Sequence, residues 1–145
     1  MENKKIVKIS GLIKRFPIGG GHFTALNGID LSFGTGEFAG FVGPSGSGKT
    51  TLLNIIGSLD GPSEGTAVVL GNSVGDLSHK KAAKIRKESL GFIFHTYNLM
   101  PVYTVFENVE FPVLLLDMTA GERKQSVHEP LDWEGLSEKI KYRPA

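Results

Sequence analysis

Gly43-Pro44-Ser45-Gly46-Ser47-Gly48-Lys49-Thr50, with Thr51 behind it, is the stretch on which the reading of this chain turns. It matches G-x-x-x-x-G-K-(S/T), a spacing that lets a loop wrap phosphate groups. Gly43, Gly46 and Gly48 carry no Cβ, so the backbone can turn tightly and bring its N–H groups up to anionic oxygens. Lys49 supplies a point charge for the outer phosphates, and the Thr50 hydroxyl is an oxygen ligand suited to Mg²⁺. The flanks agree. Phe38-Ala39-Gly40-Phe41-Val42 predicts a short buried strand, and Thr51-Leu52-Leu53-Asn54-Ile55-Ile56 a helix whose N-terminus favours negative charge. A plain Gly/Ser-rich surface turn is the competing reading, and the strand–loop–helix context weighs against it.

At 145 residues the chain can bury the core of one domain. A formal net charge of +1 offers no global electrostatic case for nucleic acid or an anionic membrane. The absence of cysteine excludes disulfides, thiol chemistry and Cys-based zinc sites. After the charged start Met1-Glu2-Asn3-Lys4-Lys5, residues 6–16 alternate apolar with polar and include Lys8, Lys14 and Arg15, which is not a signal-peptide core. The apolar run Val113-Leu114-Leu115-Leu116 is too short to span a bilayer. A soluble chain in a reducing cytosol is the expectation.

Outward from the loop, residues 6–13 and 24–33 read as two antiparallel strands joined at a flexible tip, Gly19-Gly20-Gly21. Thr66-Ala67-Val68-Val69-Leu70 reads as a further strand closed by Gly71-Asn72, and Leu90-Gly91-Phe92-Ile93-Phe94 as another. Residues 78–89 carry a basic helical pattern without interleaved aromatics, which suits a solvated helix face better than a nucleic-acid patch. Thr104 is placed to N-cap a helix through Glu107, Asn108 and Val109. Residues 120–142 are polar and helical in pattern, with an interruption expected at Pro130. Val113-Leu114-Leu115-Leu116-Asp117 superficially resembles an apolar strand ending in a metal-binding Asp, but Pro112 suits a central strand poorly and Met118 stands where a catalytic Glu is wanted.

In order and spacing, several segments together resemble the nucleotide-binding subunit of ABC transporters, especially the lipoprotein-release and macrolide-export type. They are Ala25-Leu26-Asn27-Gly28-Ile29-Asp30-Leu31, the loop from Gly43 through Asn54, Leu59-Asp60-x-Pro62-x-x-Gly65, Gly91-Phe92-Ile93-Phe94-x-x-Tyr97-Asn98-Leu99-Met100-Pro101, and Glu107-Asn108-Val109. The resemblance implies an α/β fold: a P-loop NTPase core with an N-terminal antiparallel β subdomain and the beginning of a helical subdomain. The expected division is 1–37 for the antiparallel part, 38–100 for the P-loop core and 101–145 for the start of the helical subdomain. It further implies ATP and Mg²⁺ as cofactors, with Gly43, Ser45, Gly46, Gly48, Lys49, Thr50 and Thr51 at the phosphates and Thr50 on the metal. Phe16 falls where the family has an aromatic residue stacked on adenine, and needs only a π face to serve; an ordinary hairpin core residue is the alternative. His95 departs from the family's Gln. Imidazole is bulkier and Mg²⁺ prefers oxygen, so the resemblance does not carry metal contact to His95, and a structural loop histidine stands beside a coupling role.

The implied partners are a transmembrane permease subunit and a second ATP-binding subunit, at the cytoplasmic face of the cell membrane, with no nucleic acid. In the family the signature motif, the metal-binding Asp and the catalytic Glu follow a segment like residues 136–145, and this chain carries none of them. The expectation is therefore an ATP-binding chain that does not hydrolyse efficiently, with no catalytic residue of its own. The alternatives are a non-hydrolysing module that pairs with an intact subunit, or another small P-loop enzyme using Asp117.

Overall fold

The structure is a computed structural model that describes residues 4–144; the charged start Met1-Glu2-Asn3 and the last residue, Ala145, lie outside the described residues. It divides into two compact units, residues 1–90 and 91–145.

The first unit is built on a long hairpin, strand β1 (Lys5–Ile18) and strand β2 (Gly21–Gly34). Strand β3 (Glu64–Val69) pairs antiparallel with the other edge of β1, and the short β4 (Asn72–Ser73) follows it, giving the order β2-β1-β3-β4. Val7 and Ile9 point inward two apart, as a strand period demands, but the next buried residue is Leu12. A bulge between Ile9 and Leu12 absorbs the extra residue. Asp30 on β2 satisfies that bulge, its carboxylate accepting from Ser10 Oγ at 3.0 Å and Gly11 N at 2.9 Å. Gly65 crosses β1 at the same place with φ +78°, and a Cβ on it would lie 2.7 Å from Ser10 O. Only glycine permits that approach.

Helix α1 (Lys49–Ile56) packs on this sheet through Leu52 and Ile55, which join Val7, Ile9, Leu12, Leu26, Ala67, Val69 and Val74 in one core. Helix α2 (His79–Ser89), N-capped by Ser78, buries no residue fully, as its basic pattern predicts. Arg86 reaches from it to the carbonyl of Ser58 at 2.6 Å.

The second unit pairs helix α3 (Val105–Val113) with helix α4 (Ala120–Trp133), joined by an Arg123–Glu110 ion pair of 3.0 Å. Asn108 organises the approach to α3. Its Oδ1 accepts from Met100 N at 2.7 Å, while Nδ2 donates to the carbonyls of Met100, Tyr103 and Thr104. The 113–117 stretch closes α3 in a turn rather than forming a strand.

Three expectations are corrected. Residues 38–42 and 90–94 are irregular, not strands. Phe38, Val42 and Ile93 are fully exposed, and neither stretch joins the hydrogen-bond ladder of the described sheet. Phe41 alone turns inward, edge-on to Phe33. Pro130, in turn, does not interrupt α4, which continues to Trp133. No helix among the described residues is long and apolar enough to cross a membrane.

Candidate phosphate-binding loop and base platform

The 43–48 loop enters α1 through Gly48, the residue preceding the helix, at φ +88°. A Cβ there would lie 2.7 Å from both Ala25 O and Leu26 Cδ2, so the bare backbone of Gly48 seats the loop directly on β2. Gly46 also sits at positive φ, +81°, but in open space, whereas a Cβ on Gly43 would meet only the movable end of Ser47, 2.8 Å from its Oγ. The loop closes on itself where Ser47 N donates to Pro44 O at 3.3 Å.

Lys49 is the first residue of α1, and its ammonium folds back over the loop. It donates to Gly43 O at 2.8 Å, Pro44 O at 2.7 Å and Ser47 Oγ at 3.2 Å, which uses all three of its donors. The charge is thereby held at the loop rather than extended into solvent. The first helical bond of α1 runs from Leu52 N to Gly48 O. The N–H groups before it have no side-chain cap, and no acidic residue occupies the first turn to compete for them.

At the far end of the hairpin, Phe16 on β1 sits directly opposite Phe23 on β2. The two rings and the loop face one cleft of about 420 Å³, lined by Phe16, Phe23, Ala25 and residues 45–51. Of the residues expected from sequence, Phe16, Ser45, Gly46, Gly48, Lys49, Thr50 and Thr51 all line it. Gly43 does not, but its carbonyl anchors Lys49. Phe23 escaped the sequence reading, although a hairpin turning at Gly19-Gly20 pairs it with Phe16 and so contained the signal. His95 lies exposed in the second unit, outside any helix or strand, and Asp117 follows the end of α3. Among the described residues no group of three or more His, Asp or Glu is placed to hold a metal ion.

The donor set fits a phosphate chain: free helix-terminal N–H groups, a held ammonium, and glycine backbone where a Cβ would clash. The apolar rings at the other end fit a flat base.

Comparison with known proteins bears on this geometry. Residues 26–145 match the ABC transporter family. The chain belongs to the ABC transporter ATP-binding family. It is similar to an uncharacterized ABC transporter ATP-binding protein of Thermotoga maritima, 37% identical over 141 residues that cover 97% of this chain and 60% of that protein. It is also similar to the macrolide export ATP-binding/permease protein MacB of Marinobacter nauticus, 39% identical over 145 residues, the whole of this chain and 22% of that protein. Among solved structures it resembles the ATP-binding cassette MJ0796, in a dimeric post-hydrolysis state bound to ADP and Pi. That likeness has a TM-score of 0.83 and 37% identity over 95% of this chain and 61% of the cassette. The α/β P-loop NTPase class therefore holds for this ABC chain, even though residues 38–42 and 90–94 form no strands. The chain spans about three-fifths of the length of the Thermotoga relative and of the MJ0796 cassette.

Proposed function

We propose that this chain binds Mg-ATP in the cleft between Phe16 and the 43–51 loop, as the ATP-binding part of an ABC-type export, efflux or lipoprotein-release transporter. The observation that carries this reading is the single cleft that holds both ends of a nucleotide site: rings at one end, free backbone donors and an ammonium at the other. Phe16 would hold the base by its face. The N–H groups opening α1 would hold the phosphates, the Lys49 ammonium would exchange its loop acceptors for phosphate oxygens, and the exposed Thr50 hydroxyl would ligate Mg²⁺ alongside them. When bound, ATP supplies the free energy of phosphate release; the residues here bind and orient it.

We propose that this chain by itself turns ATP over poorly. None of the residues lining the cleft is a carboxylate or imidazole that could position an attacking water. The names of the export relatives support a transmembrane permease as partner, and the dimeric cassette supports a second ATP-binding subunit. On this reading the chain works at the cytoplasmic face of the membrane. Residues 1–37, 38–100 and 101–145 then serve as the antiparallel β part, the P-loop core and the start of a helical subdomain.

Titration of the purified chain with Mg-ATP tests the reading. A hydrogen bond to a charged group contributes about 1.5–3 kcal/mol, so Lys49→Ala is expected to weaken binding roughly 10- to 100-fold. Equal affinities for the two proteins would refute it.

A further inference from the structure

We propose that Lys14 is a positioning residue that holds the Phe16 ring as a stacking platform for a purine base; the inference rests on the nucleotide-binding reading above. The Lys14 ammonium lies 5.1 Å from the centroid of Phe16, over the ring. It is not a loose surface cation. Asp60 Oδ1 accepts from it at 2.6 Å and Gly61 O at 2.9 Å, and the side chain is only 13% exposed. With two donors engaged, the remaining face of the ammonium is left to the ring.

Asp60 is itself fixed. Its carboxylate accepts from Gly61 N at 2.7 Å, and its own N–H donates to Asn54 O at 3.3 Å, where the chain leaves α1. The C-terminal exit of α1 therefore holds Lys14, and Lys14 holds Phe16. The N-terminus of the same helix is the phosphate end of the cleft. Eight residues of helix span about 12 Å, so α1 acts as a ruler that sets the base platform against the phosphate loop. Phe16 needs such a hold, because it lies near the hairpin tip and is 36% exposed. With the cation over one face of the ring, a base has the other face on which to stack.

An ion pair that merely ties the hairpin to the α1 exit would show the same distances, so the test compares two ligands. The full 145-residue chain is titrated with Mg-ATP and with magnesium and inorganic triphosphate, which lacks the base. Lys14→Met keeps the aliphatic stem and removes the charge. It is expected to weaken ATP binding about two- to fivefold, the range of an exposed cation–π contact, while leaving triphosphate binding unchanged. In a Phe16→Ala background Lys14→Met is expected to have no further effect on ATP. Lys14→Arg, which keeps a cation for the ring and a donor for Asp60, is expected to restore most of the affinity. Should Lys14→Met fail to fold, Asp60→Asn with the same two ligands replaces it. Equal losses for both ligands, or no loss for either, overturn the positioning role. A wild-type chain that binds neither ligand overturns the nucleotide-binding reading and this inference with it.

Discussion

Gly48 carries more of the site than its lack of a side chain suggests, because loop, helix and hairpin meet there. The sequence pattern asks for glycine at 43, 46 and 48 alike, but the structure ranks them. A non-glycine residue at positive φ costs on the order of 1–3 kcal/mol, which applies to Gly46 and Gly48. Only at Gly48 does a Cβ also collide with backbone, at Ala25 O, and with a core side chain, at Leu26. Gly48→Ala is therefore expected to destabilise the chain by at least about 1–3 kcal/mol and to abolish ATP binding with Lys49 and Thr50 intact. Gly43→Ala, which displaces only the end of Ser47, is expected to stay within about 1 kcal/mol of wild type. Chemical denaturation paired with ATP titration measures both, and a Gly48→Ala protein as stable as Gly43→Ala would defeat the ranking. This ranking was not legible in the chain, since it depends on what lies across the gap. The same holds for Lys14, whose partner Asp60 is set by the end of α1, whereas the pairing of Phe23 with Phe16 lay within reach of the hairpin's own spacing.

Helices α3 and α4 start in the same way. Thr104 Oγ1 accepts from Glu107 N at 3.2 Å while Glu107 accepts from Thr104 N at 2.7 Å, and Thr119 and Glu122 repeat the arrangement at 3.3 and 2.8 Å. The backbone N–H of Thr104, then its hydroxyl, hold the Glu107 carboxyl below its ordinary value of 4.5. At Glu122 the Thr119 hydroxyl leads and the backbone N–H follows, in the same direction. A folded-state pKa below the unfolded one means that the stabilisation is complete above the unfolded value and is lost as pH falls through the folded one. Helix content is thus expected to erode below about pH 4.5 in far-UV circular dichroism. The double variant Glu107→Gln, Glu122→Gln keeps cap donors and acceptors without a titrating group, so its acid limb should be flatter; an unchanged limb would count against the caps. At this scale the sequence was readable where structure is local. The hairpin with its Gly tip, β3, the Ser78-capped helix and the Thr104 cap all follow from short-range pattern. Residues 38–42 and 90–94 have strand-like composition, but a strand also needs a neighbour, which composition does not supply. Pro130 misled for the opposite reason. Its backbone cost of about 3 kcal/mol is offset by the burial of Val127 and Leu131 on either side.

Across the whole molecule, the apolar surface left open is the dominant physical fact beside the site. Phe38, Val42 and Ile93 are fully exposed, in stretches whose backbone N–H and C=O groups join no strand. Burying one such side chain contributes about 1.5–3 kcal/mol, so covering all three by self-contact would yield roughly 5–9 kcal/mol. Association costs about 4–15 kcal/mol in lost freedom and side-chain ordering. The balance is close, which predicts self-association that is weak, concentration-dependent and promiscuous rather than a defined dimer. Light scattering coupled to gel filtration is expected to show the apparent mass rising with protein concentration, accompanied by binding of a hydrophobic dye. Val42→Thr with Ile93→Thr leaves the cleft lining untouched and removes part of that surface. The double variant should shift the onset of association to higher concentration and leave ATP affinity as it was. A wild-type chain that stays monomeric at every concentration, melts cooperatively and binds no dye would show that these side chains are covered in solution.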